Sequence, residues 1–294
     1  MNSASSPNCL SRRVLWKNEG IPDNHTDDET FLKELRTNVN LRTYTYREAV
    51  CGATVLVQQI SLVVFFVIIY ALSLRSFMSA PQIIIVYSFL LFTLYFLYRY
   101  LILNKRFGPP PKNDLQTFVV IYGFAFGVSP ILSTLTGTVS TDSIYTMVAV
   151  LLLLNLIVHD YGPQAMVVSQ AFSLNAAFGA AVCLASRLPS SLDAFALVIC
   201  AVGIFGLWPA MRSLLKKRYP AAFPLIAVGM VVADGALLSW LSTFWLGMFA
   251  AVVVAVGLLC PALFVYLQRW KTTIHGPWDE AVLKTDRPVS PLNR

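Results

Sequence analysis

Charge is what this sequence has least of. Asp, Glu, Lys and Arg make up 13% of its 294 residues, against roughly 25% in an ordinary globular domain. So few charges cannot clothe a water-facing surface of this size, which excludes a soluble globular chain and a disordered one alike. Cysteine is sparse as well. Cys9, Cys51, Cys183, Cys200 and Cys260 form an odd set with no C-x-x-C pair, so neither a disulfide framework nor a zinc knuckle is encoded, and small apolar filler is the reading for those in apolar runs. No glycine-rich phosphate loop of either common kind occurs, nor H-E-x-x-H, nor a D-x-D pair for a divalent ion. No cofactor and no metal is expected from such a chain.

What is present is apolar length. The set AVILMFWYC supplies 56% of the residues. A helix needs about 20 mostly apolar residues to cross roughly 30 Å of hydrocarbon. Between Glu48 and Arg75 lie 26 uncharged residues, between Arg75 and Arg99 23, between Asp114 and Asp142 27, and between Asp160 and Arg187 26. The gaps from Asp142 to Asp160 and from Asp193 to Arg212 are shorter, at 17 and 18 residues. The stretch from Arg218 to Arg269 is interrupted only by Asp234 and has room for two spans. The spacing predicts an all-α polytopic membrane protein of eight helices, near 50–72, 80–102, 115–135, 143–159, 163–186, 194–211, 221–239 and 245–267. Residues 1–49 and 268–294 flank this bundle. No signal peptide is expected, because the first apolar run starts only at residue 50.

The basic residues orient the bundle. With eight spans, 20 Lys and Arg fall on the side of the termini and only Arg75 and Arg187 on the other. The positive-inside rule puts both termini in the cytosol. Tyr95, Tyr98, Tyr100, Trp208, Tyr266 and Trp270 fall near cytosolic span ends, with Trp240 and Trp245 near the opposite face. The net charge of +7 then reflects topology and anionic lipid, not nucleic acid.

Outside the spans, Thr26 and Glu29 are spaced as a capping box. Phe31, Leu32, Leu35 and Val39 follow at helical spacing, so residues 28–40 are predicted to form a short amphipathic helix. Residues 104–112 carry three consecutive prolines and read as a stiff turn. No extramembrane segment is long enough for a nucleotide-binding domain of ordinary size.

Polar groups inside spans are costly, and each has two readings. Asp234 is a proton relay or ligand contact on one, a structural carboxylate on the other. Gln58, Gln59, Asn155 and Asn175 read as interhelical hydrogen-bonding groups, worth roughly 0.6–2 kcal/mol each. Gly123-x-x-x-Gly127 and the ladder Ala177, Ala181, Ala185 allow close backbone approach within the bundle or to another membrane protein. Two further clusters are expected at the cytosolic face. One is His159 with Asp160 after the fourth span; the other is Arg269, Lys271, His275, Trp278, Asp279 and Glu280 after the eighth. Imidazole beside carboxylate suits proton transfer or the grip of a hydroxylated headgroup. Turn formation and interfacial anchoring account for the same residues.

Several long stretches resemble one family. They are FGVSPILSTLTGTVSTDSIYTM at 126–147, DYG at 160–162, SLN at 173–175, CLASRLPSSLDAFALV at 183–198, LWP at 207–209 and IHGPWDEA at 274–281. FLKELR at 31–36 and VLVQQI at 55–60 fit as well. These are similar to the PIG-C family, one of the subunits of phosphatidylinositol N-acetylglucosaminyltransferase. The resemblance implies a multi-pass protein of the endoplasmic reticulum membrane. Its complex transfers N-acetylglucosamine from the UDP sugar to phosphatidylinositol on the cytosolic leaflet, beginning glycosylphosphatidylinositol anchor synthesis. It also implies other subunits as partners, among them the catalytic PIG-A, and it supplies no catalytic residues of this chain's own.

Three functions are therefore weighed. The first is a non-catalytic scaffold that holds the glycosyltransferase at the membrane and presents the acceptor lipid, with His159, Asp160 and the 269–280 cluster as its lipid or docking surface. The second is a polytopic glycosyltransferase in its own right, although only Asp142 and Asp193 face the far side, in short loops. The third is a transporter of lipid or small molecules using Asp234 and the intramembrane amides. No pair of broken helices in corresponding halves supports it.

Overall fold

The computed structural model describes residues 36–38, 41, 43–102, 112–134, 138–161 and 170–275. Eight helical stretches run through the described residues. They are α1 (Tyr46–Leu74), α2 (Ala80–Leu97), α3 (Lys112–Thr134), α4 (Thr141–Val158), α5 (Gln170–Ala185), α6 (Ser191–Arg218), α7 (Phe223–Leu241) and α8 (Thr243–Trp270). All but α5 are long and apolar enough to cross a membrane, and the described part of α5 is 16 residues long. The all-α polytopic reading thus holds. Several helices run past their expected ends by a few residues, because a span continues into the interface as long as its backbone hydrogen bonds are met. At the start of α1 this is done by a capping box. Thr45 N donates to Glu48 Oε2 at 3.0 Å, and Glu48 N donates to Thr45 Oγ1 at 3.3 Å.

Two helices contain a turn of π-helix shortly before a proline. In α6 it covers Val202–Leu207, ahead of Pro209; in α8 it covers Ala255–Leu259, ahead of Pro261. Proline has no N–H to give the carbonyl four residues back and crowds it. Widening the turn absorbs both defects without ending the span.

Residues Tyr44–Tyr266 form one compact unit. Within it α1 and α6 are the most buried spans, and the others turn much of their apolar surface outward, as lipid permits. α4 packs on α5 through small residues. Ala177, Ala181 and Ala185 are fully buried, and a Cβ added at Gly179 would already touch Leu151 at 3.4 Å. Gly123 and Gly127 behave differently: a Cβ at either would meet nothing within 4 Å, so this pair packs against no helix among the described residues.

The smaller unit comprises residues 1–43 and 267–294. Its described part contains a two-stranded antiparallel ladder, β1 (Arg36–Thr37) with β2 (Ile274–His275), pairing Arg36 with His275 and Thr37 with Ile274. Asn38 extends the pairing, donating its N–H to Thr273 O at 2.8 Å and accepting from Thr273 N at 3.0 Å through Oδ1. Where a helix over 28–40 was expected, residues 36–38 therefore form a strand and a bend, with Asn38 at φ 59. Pairing with a segment distant in sequence here wins over local helical spacing. The rest of that segment, the Thr26–Glu29 box and the 104–111 prolines lie outside the described residues.

Candidate functional site

Five polar side chains from α1, α4, α5, α6 and the residue that caps α4 close a hydrogen-bonded ring within the larger unit. Arg212 of α6 donates from Nη1 to Gln59 Oε1 on α1 at 3.2 Å, and its Nη2 lies 2.5 Å from His159 Nε2. Gln59 Nε2 donates to Asn155 Oδ1 on α4 at 3.0 Å. Asn155 Nδ2 donates to the Ser173 carbonyl and to Ser173 Oγ on α5, both at 2.9 Å. His159 Nδ1 lies 3.4 Å from the same Oγ, which in turn donates to Asn155 O at 3.2 Å. All five residues are buried.

Arginine can only donate, and this fixes the rest of the ring. His159 Nε2 must accept, so its proton sits on Nδ1 and faces Ser173. The imidazole is held neutral accordingly. Burial, then the Arg212 charge, push it from the usual 6.5 down to about 4, against an opposing pull from Asp160. Asp160 itself is exposed. Next to it, Tyr161 donates its hydroxyl to Leu156 O, and burial raises that phenol to about 12.

Asp234, the one acidic residue expected inside α7, is 3% exposed. Ser61 of α1 lies beside it as its hydrogen-bonding neighbour. Asp234 borders a half-open cavity of about 620 Å³ between α1, α2, α3, α6 and α7. Its walls are apolar, among them Phe65, Leu91 and Met230, with Tyr95 and Tyr98 toward one end. Trp208 also lines it, with Nε1 buried and unpartnered among the described residues. At the π turn of α6 the cavity wall is a glycine, Gly203. A Cβ there would collide with Tyr87 Oη, which donates to Cys200 O at 2.9 Å.

The expected intramembrane groups thus divide. Gln59 and Asn155 are interhelical as expected. Gln58 donates to Phe223 O at 3.3 Å on α7, leaving Oε1 unpartnered among the described residues. Asn175 corrects the expectation: it is exposed and joins no interhelical bond among the described residues. Its face of α5 points away from the ring that Ser173 enters, because two residues rotate a helix by about 200°. Trp208, expected in an interfacial belt, lies against the cavity. Arg212, expected beyond the end of a span, sits inside α6, 6% exposed. Arg212 and Ser173 are the members that sequence reading misses. Arg212 lies one turn before Lys216, Lys217 and Arg218, and that offset is the one signal that sets it apart.

In the smaller unit, Arg269 stacks on Trp270, its guanidinium carbon 4.7 Å from the ring centroid. Lys271 is exposed, and His275 lies in β2. Trp278, Asp279 and Glu280 are outside the described residues.

A family profile described as Phosphatidylinositol N-acetylglucosaminyltransferase (GPI2) matches residues 12–279. The mouse protein named as the C subunit of phosphatidylinositol N-acetylglucosaminyltransferase is 39% identical over 287 residues, covering 96% of this chain and 95% of its own. The human protein of that name is 38% identical, covering 94% and 93%. A Schizosaccharomyces pombe protein named the GPI2 subunit of the same transferase is 29% identical, covering 93% and 86%. No solved structure matches the chain. Matched from residue 12 to residue 279, the chain belongs to the phosphatidylinositol N-acetylglucosaminyltransferase (GPI2) family.

Proposed function

We propose that this chain is the membrane-embedded PIG-C component of phosphatidylinositol N-acetylglucosaminyltransferase. In this reading it sits in the endoplasmic reticulum membrane with both termini cytosolic. Its complex moves N-acetylglucosamine from the UDP sugar to phosphatidylinositol, the first step of glycosylphosphatidylinositol anchor synthesis. The observation that carries the reading is the near full-length match to relatives bearing that transferase's name. The sequence has no nucleotide-binding motif, which favours sugar transfer by PIG-A and a non-catalytic part for this chain. The ladder between β1 and β2 supports an even number of spans, since pairing the two flanks needs both on one side of the membrane.

The buried ring serves this role as a brace. It fixes the end of α4, and so presents Asp160 at the membrane surface, where an inositol headgroup or a partner protein is met. Arg269, Lys271, His275, Trp278, Asp279 and Glu280, after the last span, are proposed as a second lipid or docking cluster in their own right. Affinity isolation of the chain from its native membrane tests it. Co-isolation of a sugar-nucleotide-binding partner with transferase activity is expected, with no activity in the chain alone. Transfer by the isolated chain, free of all partners, would overturn the non-catalytic assignment.

A further inference from the structure

Helix α6 consists of two rods that are packed very differently, with a joint between them. Seven of the eleven residues Ser191–Ala201 are buried. In Trp208–Arg218 the buried residues are Met211 and Arg212. One flank of this second rod borders the half-open cavity, which Trp208, Ala210 and Leu214 line. Between the rods lies the π turn Val202–Leu207. There the Trp208 N–H reaches back to Gly203 O, and Pro209 brings no N–H of its own. Gly203 and Gly206 sit in the turn, and a Cβ at Gly206 would meet nothing within 4 Å. A π turn ahead of a proline is where a helix bends at least cost, because its hydrogen bonds are already rearranged.

The two rods are also held differently. Tyr87 of α2 pins the first: its hydroxyl donates to Cys200 O at 2.9 Å and occupies the space that a side chain at position 203 would take. The second is held by a polar contact. Arg212 donates to Gln59 of α1 and meets His159, the cap of α4. Both partners are neutral, so no opposing charge locks the guanidinium in place. The cap ends a span, which puts Arg212 level with the interface, where lipid phosphates can replace Gln59 and His159 as acceptors. Release therefore strands no charge in hydrocarbon, and two positions of the second rod become tenable.

We propose that Trp208–Arg218 is a jointed arm that pivots at the π turn and is latched closed by Arg212 on Gln59 and His159. Opening carries Lys216, Lys217 and Arg218 away from α4. In the same step it removes the ring's hold on His159, and so on the end of α4 that bears Asp160. The arm thereby couples the basic end of α6 to the surface at Asp160. It belongs to the chain in a bilayer and needs no partner. Its failure would therefore leave the proposed place in the transferase untouched.

Spin-label distances in the full chain, purified in nanodiscs, test the joint. Cys9, Cys51 and Cys260 are replaced by Ala, while Cys183 and Cys200 stay because they are buried. One label pair joins the arm to α4 through Lys217→Cys and Ile157→Cys, both at exposed positions. A second pair joins the first rod to α4 through Leu192→Cys and Val150→Cys, exposed as well. Lys217 lies ten residues past the π turn, about 15 Å along the helix, so a bend of about 20° displaces it by roughly 5 Å. With Arg212 in place, one main distance is expected for each pair. Arg212→Ala should add a second, displaced population for the arm pair and leave the other pair unchanged. Pro209→Ala, which restores an N–H at the joint, should shrink that population in the Arg212→Ala chain. Arg212→Lys, which keeps the charge but not the fork, serves if Arg212→Ala fails to fold, and is expected to give a smaller second population. An unchanged arm distance in a folded Arg212 variant overturns the inference. So does an equal change in both pairs, which is loosening of the whole bundle, or a second population indifferent to Pro209→Ala, which puts the bend elsewhere.

Discussion

Arg212 and His159, 53 residues apart, meet with Nη2 and Nε2 at 2.5 Å. A guanidinium inside a span is here bonded to an amide and a neutral imidazole, with the exposed Asp160 nearby as an opposing charge. The arrangement makes the ring depend on both residues at once.

Removing the arginine leaves Gln59 Oε1 and His159 Nε2 buried without a donor, at about 1–3 kcal/mol for each group. Arg212→Ala is expected to lower the thermal midpoint of the detergent-solubilised chain clearly. Arg212→Lys should lower it less, since an ammonium keeps the charge but cannot span both acceptors in the same fork. Unchanged melting of both variants by intrinsic fluorescence would show the ring to be energetically idle.

The imidazole makes this stability sensitive to acid. Folded His159 stays neutral down to about pH 4, while unfolded it takes up a proton near its usual 6.5. The unfolded state therefore binds more protons between these values, and stability falls as pH drops through that window. Melting profiles from pH 7 to pH 4.5 should show a decline that is shallower in His159→Gln. An equal decline in both proteins would assign the acid response to other groups.

Gly203 is expected to tolerate no side chain. Gly203→Ala drives a methyl into Tyr87 Oη, and such overpacking costs about 1–3 kcal/mol. Tyr87→Phe removes the obstructing oxygen while forfeiting the bond to Cys200 O. The double variant should be more stable than the two single losses added together, a coupling that a double-mutant cycle reads directly. Strict additivity would argue against the contact.

Topology is tested by glycosylation tags. Eight spans with cytosolic termini predict no modification of a tag at either end and full modification of one placed after Arg187. Modification at either terminus would reverse the assignment. The number of spans turns on whether α5 crosses.

For the surface clusters, Asp160→Ala and Asp279→Ala separate the two readings of their role. Lost transferase activity in an intact complex favours contact with the acceptor lipid, and lost assembly favours docking of a partner. Wild-type behaviour of both variants and of their combination would reduce these residues to turns and anchors.

The spans were readable because lipid demands uninterrupted apolar length, and gaps between charges measure that length directly. Gln59, Asn155 and Asp234 were readable as costly exceptions to it. Which way a polar residue points was not: α5 is apolar all round, so its sequence gives no face on which to place Asn175 or Ser173. Arg212 was obscured by its basic neighbours, since a charge near a span end reads as interface until its partners are known. Those partners come from residues 59 and 159, separations at which no local pattern operates. The strand at Arg36–Thr37 was likewise invisible, its partner lying beyond the last span.

A helix apolar on every side can turn about its own axis at little cost, because lipid offers every azimuth the same solvent. The ring of Gln59, Asn155, His159, Ser173 and Arg212 removes that freedom from α1, α4, α5 and α6 together. Each amide has its oxygen and nitrogen assigned by the neighbour it faces, in a sequence of donors that begins at an arginine unable to accept. Rotating any one helix by a single residue, about 100°, breaks the circuit at two points or more. The ring thus acts as an angular index, giving four nearly featureless cylinders one shared orientation.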